Sequence, residues 1–157
     1  MDGSVNLVVT SEFAEKLAEG VKKINDQHKK IFELTTDLFA HCVGDDNAEN
    51  TYFGRMINGA VELVTTHFKT EEELMLETKF NLFEYIEHKK EHEDFVATVI
   101  DYLTRFKKTG SVDLLMFSSY AKWWVIGHIR RHDKKYITFF NKILETNNIR
   151  HVDKMAV

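Results

Sequence analysis

The sequence contains no proline. Proline is the residue that most reliably interrupts a helix, because it lacks the backbone N–H and its ring clashes with the preceding turn. A chain of 157 residues without one is therefore free to build long, unbroken helices. Short polar breaks divide it into four helical stretches. The first runs from Ser11 or Val21 to Val43; Gly20 leaves its start open, and Val43-Gly44-Asp45-Asp46-Asn47 ends it. The second covers about Ala48 to Thr78. The third begins after Asn81, with Glu84 at capping-box spacing, and stops at Lys107-Lys108-Thr109-Gly110, where cations and then a glycine suit a helix C-terminus. The fourth opens with Ser111 as N-cap and Asp113 in its first turn, and continues to about Asn147.

Apolar residues in these stretches recur with the helical period. Ile24, His28, Ile31, Thr35, Leu38 and Cys42 share one face of the first. Ala60, Val64, His67, Glu71 and Leu74/Met75 do so in the second. Tyr85, His88, His92, Phe95, Val99, Leu103 and Phe106 do so in the third, and Trp124, Val125, His128, Ile129, Tyr136, Phe140 and Ile143 in the fourth. Short connections between long helices favour antiparallel neighbours. The expected fold is all-α: an antiparallel up-down-up-down four-helix bundle with an N-terminal arm. One domain over residues 1–157 is expected, with the bundle at about 13–147, the arm at 1–12 and a short tail at 148–157.

Every one of the four stripes carries histidine. A lone histidine on an apolar face is ordinarily a core imidazole satisfied by a neighbour. Five imidazoles and at least one carboxylate directed into one core are a different matter, because burying them without partners costs several kcal/mol. A metal satisfies both kinds of group together. His67 and Glu71 are four apart, as are His88 and His92, so each pair lies on one helical face. Asp133 is five residues after His128, off its face in a regular helix, but four after Ile129, the other inward residue of that turn. Five imidazoles and two carboxylates exceed the needs of one tetrahedral zinc and suit two carboxylate-bridged ions. The donor set suits iron among other transition metals, with manganese and zinc left open.

Other classes are less well supported. The net charge of −4 and the lack of a basic tract argue against a nucleic-acid partner. No apolar run approaches a membrane span, so no membrane association is expected. The first ten residues show no signal-peptide pattern. Cys42 is the only cysteine, which rules out an intrachain disulfide and points to a reducing, cytoplasmic setting. It reads as a small core residue. His41, His132 and His151 read as surface or helix-edge residues, Glu72 and Glu73 as a solvated face, and Trp123 as facing a helix neighbour. Nothing specifies an oligomer, and a monomer is compatible with the sequence.

His28, His67-Phe68-x-x-Glu71, His88-x-x-x-His92 and His128-Ile129-x-x-x-Asp133 resemble the ligand set of the hemerythrin family. The flanks Ile24-Asn25-Asp26-Gln27-His28-Lys29, Glu71-Glu72-x-Leu74-Met75 and Trp124-x-x-x-His128-Ile129 are similar to it as well, and the likeness spans about Phe13 to Phe140. Two departures lie in one loop: Phe80-Asn81 replaces a Tyr-Pro turn before the third helix, and the segment from Glu71 to His88 is about two residues longer. Asn25 replaces a common aspartate and is not a ligand. The resemblance implies two iron ions. His88, His92 and His128 would hold one, His28 and His67 the other, and Glu71 and Asp133 would bridge them together with an oxo or hydroxo group. It implies reversible O2 binding at the ion with fewer ligands, in a pocket of Ile31, Phe68, Trp124, Val125 and Ile129. Val125 stands where the family often has leucine.

The resemblance implies a binding protein for O2 carriage, storage or delivery rather than an enzyme. The alternatives are O2, NO or redox sensing, and slow di-iron peroxidase or oxidase activity. Ferritin-like oxidases use two Glu-x-x-His motifs, and no Glu-x-x-His occurs here.

Overall fold

The computed structural model describes residues 7–42 and 46–149. Four antiparallel helical rods make up the described chain: α1 (Ser11–His41), α2 (Asp46–Glu77), α3 (Leu82–Thr109), and a fourth rod composed of α4 (Leu114–His128), one π-helical turn (Ile129–Asp133) and α5 (Lys134–Thr146). No strand occurs among the described residues. Among the described residues no helix is long and apolar enough to cross a membrane. Of the expected break Val43–Asn47, Val43–Asp45 lie outside the described residues and Asp46 and Asn47 already belong to α2; His151, expected at the surface, also lies outside the described residues, as do residues 1–6 of the arm and 150–157 of the tail.

Two apolar clusters explain the alternating directions. One joins Ala14, Leu17, Val21 and Ile24 of α1, Leu74 and Met75 of α2, and Tyr136, Phe140, Ile143 and Leu144 of the fourth rod. The other joins Leu38, Phe53, Phe95, Val99, Tyr102 and Phe117. Each rod passes from one cluster to the other, and α2 and the fourth rod run against α1 and α3. Gly20 does not delay α1. It lies within the helix, and a Cβ there would stand 2.6 Å from Leu74 Cδ1, so the missing side chain admits α2.

Caps fix the helix ends. Thr10 Oγ1 accepts from Phe13 N at 3.2 Å and starts α1. Asn81 Oδ1 accepts from Phe83 N and Glu84 N at 3.0 and 3.1 Å and starts α3. The cap of α4 is Asp113, not Ser111: Asp113 Oδ1 accepts from Met116 N at 2.8 Å, and Ser111 belongs to the preceding turn, its backbone N–H donating to Thr109 Oγ1. The longer connection before α3 is a Schellman turn. Phe80 N donates to Met75 O at 2.9 Å and Lys79 N to Leu76 O at 3.1 Å. Lys79 takes φ +57°, where glycine is more common. Phe80 thereby packs on the first cluster, so no Tyr-Pro turn is needed.

The second cluster is less well filled. A cavity of about 200 Å³ lies among all four rods, walled by Thr35, Leu38, Phe53, Ile57, Val99, Phe117 and their neighbours. At about 24 cal/mol per Å³, an empty void of that size forgoes on the order of 5 kcal/mol of packing, much of a typical domain's net stability of roughly 5–15 kcal/mol.

Candidate metal centre

The site lies between the two clusters, where each rod exchanges apolar inward residues for polar ones. His28, His67, Glu71, His88, His92, His128 and Asp133 are all buried, and Glu71 and Asp133 have no exposed surface. Their donor atoms fall into two groups that share both carboxylates. Glu71, His88, His92, His128 and Asp133 form one; His28, His67, Glu71 and Asp133 form the other.

The carboxylates divide their oxygens between the groups. Glu71 Oε1 is 3.0 Å from His67 Nε2 and 3.3 Å from His28 Nε2. Glu71 Oε2 is 3.1 Å from His92 Nε2 and 3.4 Å from His88 Nε2. Asp133 Oδ2 is 2.9 Å from His28 Nε2, while its Oδ1 is 3.1 Å from His128 Nε2 and 3.5 Å from His88 Nε2. His92 Nε2 and His128 Nε2 stand 2.9 Å apart. With metal–imidazole bonds of about 2.1 Å, donors at right angles around one ion would be about 3 Å apart, so the cluster has the right dimensions.

Local helix geometry puts Asp133 on this face. In a regular helix it would diverge from His128, and the width of the inward stripe is not what brings it back. The π turn does so: Lys134 N–H donates to Ile129 O, five residues back. One extra residue per turn turns an i, i+5 spacing into a shared face. Arg131 Nε folds back to Gly127 O at 3.2 Å beside the widened turn.

Three neighbouring contacts are not apparent from spacing alone. Gln27 Oε1 lies 3.1 Å from His67 Nδ1. Glu72 is not part of a solvated face, because its Oε1 lies 2.9 Å from His92 Nδ1; Glu73 is exposed. Tyr136 Oη donates to Glu71 Oε1. Outer partners of this kind orient the imidazoles of metal sites. Gln27 and Glu72 each sit next in sequence to a cluster residue, where a polar side chain reads as surface. His132 is half-buried and stacks on His128 with centroids 5.2 Å apart. His41 is exposed and stacked on Tyr52, and Trp123 is 68% exposed rather than packed on a helix.

The electrostatics show what the protein groups lack by themselves. Burial alone would lower the pKa of His28, but Asp133 and Glu71 beside it hold it up at about 9. Burial would raise Glu71 and Asp133, yet the surrounding histidines hold both well below the usual carboxylate range. Burial lowers His128. The balance is incomplete. Both Asp133 oxygens, His28 Nδ1 and His128 Nδ1 are buried without a hydrogen bond of acceptable geometry. A buried carboxylate left in this state is costly unless it coordinates a cation, so the residues present fit a metal.

A proton count follows. His28 must lose its proton to act as a ligand, so metal uptake near pH 7 should release protons into a weakly buffered solution, and uptake near pH 10 should release fewer. Below about pH 9, apparent affinity should fall about tenfold for each unit by which the pH is lowered, per proton displaced. In the metal-free chain the His28 contribution to stability is full below its ordinary 6.5 and fades as pH rises through about 9. Proton release that is the same at both pH values would contradict this reading.

A second, much smaller cavity of about 10 Å³ adjoins the centre. That is room for about one small molecule. Its walls include the five residues expected from the sequence, Ile31, Phe68, Trp124, Val125 and Ile129, and also Val64 and Phe95. Phe68 stacks on His92 at 3.7 Å and Trp124 on His128 at 4.4 Å, so the aromatic walls pack directly on cluster imidazoles.

Comparison with known proteins agrees with this architecture. The hemerythrin HHE cation binding domain model matches residues 19–140. The chain belongs to the hemerythrin family. This hemerythrin-family chain is 29% identical over 117 residues to a bacteriohemerythrin of Stenotrophomonas maltophilia, covering 74% of the chain and 72% of that protein. It is equally similar to a hemerythrin-like protein of Naegleria gruberi, covering 74% of the chain and 82% of that protein. A bacteriohemerythrin of Methylococcus capsulatus is 27% identical over 124 residues, 78% of the chain and 90% of that protein. No solved structure matches at the same stringency.

Proposed function

We propose that the seven residues hold two iron ions and that the chain binds O2 reversibly there, for carriage, storage or delivery. The carrying observation is the unequal division of donors. Glu71 and Asp133 each offer oxygens to both groups, but one group adds three imidazoles and the other only two. Two ferrous ions would supply the electrons that reversible O2 binding requires. His88, His92 and His128 would complete the environment of one ion. The side held by His28 and His67 has one imidazole fewer and borders the 10 Å³ cavity, whose lining includes both of those histidines and the shared Asp133 but only His128 of the other three imidazoles.

The protein's own work is then exclusion and alignment. Ile31, Phe68, Trp124, Val125 and Ile129 keep the small cavity apolar, so water and protons that would turn binding into irreversible oxidation are held back. Tyr136, fully buried, holds Glu71 through its oxygen on the His28/His67 side. Gln27 and Glu72 fix the rings of His67 and His92.

The test is the absorption spectrum of the iron-loaded, reduced protein before and after air, followed by a vacuum cycle. The expected result is a new band that vanishes under vacuum and returns with air. Sustained O2 consumption, or one metal ion per chain, would overturn the proposal. A leucine at position 125 would thicken the cavity wall, so Val125→Leu should slow spontaneous loss of the oxygen-dependent band by several-fold, judging by the effect of a methylene on pocket access. Equal or faster loss in the variant would contradict the role given to Val125.

A further inference from the structure

We propose that the 200 Å³ cavity in the second apolar cluster is a separate binding site for one small uncharged hydrocarbon-like molecule, of about the size of toluene. Its walls decide the ligand chemistry. Among the described residues that line it only Thr35 and Thr65 carry hydroxyls, and both are turned back on their own helices: Thr35 Oγ1 donates to Phe32 O at 3.1 Å and Thr65 Oγ1 to Val61 O at 2.8 Å. Among the described residues no polar side chain is left to greet a charged ligand or to order water, so the walls favour an apolar guest over water. The size suits an organic guest, since an engineered apolar cavity of about 150 Å³ in another protein accepts benzene. Met56 gives one wall a flexible, polarisable side chain that adapts to the shape of a guest.

Entry and isolation are also visible. Thr65 on α2 and Ile100 on α3 line the cavity and are exposed, so it opens between those helices. The described ends of the chain do not plug it: Leu7 and Ile149 pack on the opposite cluster. The wall nearest the metal centre is thin. Ile31, Val64, Phe95 and Val125 line both this cavity and the 10 Å³ one.

The test is calorimetric titration of the metal-loaded full chain with toluene, and with benzoate as a charged compound of similar size. Toluene should bind saturably, one molecule per chain, and benzoate at least about tenfold more weakly. Ala60→Phe and Ala121→Leu, both on the cavity wall, should fill the space, raise the thermal midpoint and weaken toluene at least about tenfold without changing metal content. Absence of saturable toluene binding to the native chain would overturn the proposal. So would equal binding of benzoate, or unchanged toluene affinity in whichever filled variant folds. None of these readouts involves O2, so the outcome is independent of the oxygen-binding reading.

Discussion

Replacing Glu71 by glutamine is expected to abolish the proposed two-metal binding. The amide keeps the shape of the side chain but loses the charge, and its nitrogen is not a donor to a cation. Glu71 now directs one oxygen to His28 and His67 and the other to His88 and His92. No other residue spans the groups from α2. Removing an outer partner of a metal site typically costs about 10–100-fold in affinity, so loss of a shared ligand should exceed about 100-fold. Metal analysis after dialysis should give no more than one ion per chain for Glu71→Gln, against the two proposed for the native protein. Fold loss is a separate matter and is read by circular dichroism. Two tightly held ions in a folded Glu71→Gln variant would disprove the bridging role.

The second large effect is a contrast between two deletions of exposed cations in the fourth rod. Deleting Arg130 removes one residue from the π turn, leaving His128 and the present Asp133 four apart. The turn becomes an ordinary α turn, and α5 keeps its register on the core. Deleting Lys135, beyond the π turn, leaves His128 and Asp133 five apart, so closing the π turn to spare α5 would carry Asp133 off the face of the site; the alternative is that the π turn stays. Everything after the deletion then rotates by about 100°, turning Ile137, Phe140, Ile143 and Leu144 away from a cluster in which all four are buried. Losing even one such side chain costs about 2–5 kcal/mol. The Arg130 deletion should therefore unfold cooperatively and retain its metal, while the Lys135 deletion should lose its metal whichever way the rod adjusts. Equal damage from the two would mean that the π turn is not the device that brings Asp133 inward.

Much of this was legible because helices bury residues with a simple period. His28, His67, Glu71, His88 and His92 keep spacings of three and four from apolar neighbours, and their burial follows from that arithmetic. The i, i+5 pair His128 and Asp133 carried the signal of a π turn, but a regular-helix reading attributes it to a broad stripe. The roles of Gln27, Glu72 and the Tyr136 hydroxyl were not legible. Each depends on what another helix presents, and a polar residue beside a buried one reads as surface until that partner is known. Lys79 was hidden for a related reason. A left-handed turn is signalled by glycine, and here the Schellman hydrogen bonds and the seating of Phe80 hold a lysine in that conformation. Ser111 yielded to Asp113 as a cap because both types serve, and only the path of the chain chooses between them.

The two ends of the bundle are held unequally. Schellman turns close α2 and α5 at one end, where Phe80 and Ile149 pack on the apolar cluster and Asn147 accepts from Val9 N and donates to Leu7 O. The opposite end contains the void. Transient breathing should therefore begin there. Deuterium should enter the amides of α3 around Val99 and of α2 around Ile57 sooner than those of α5 around Phe140, so the native ensemble loosens on the side where the small cavity beside the histidines and the large one share a wall.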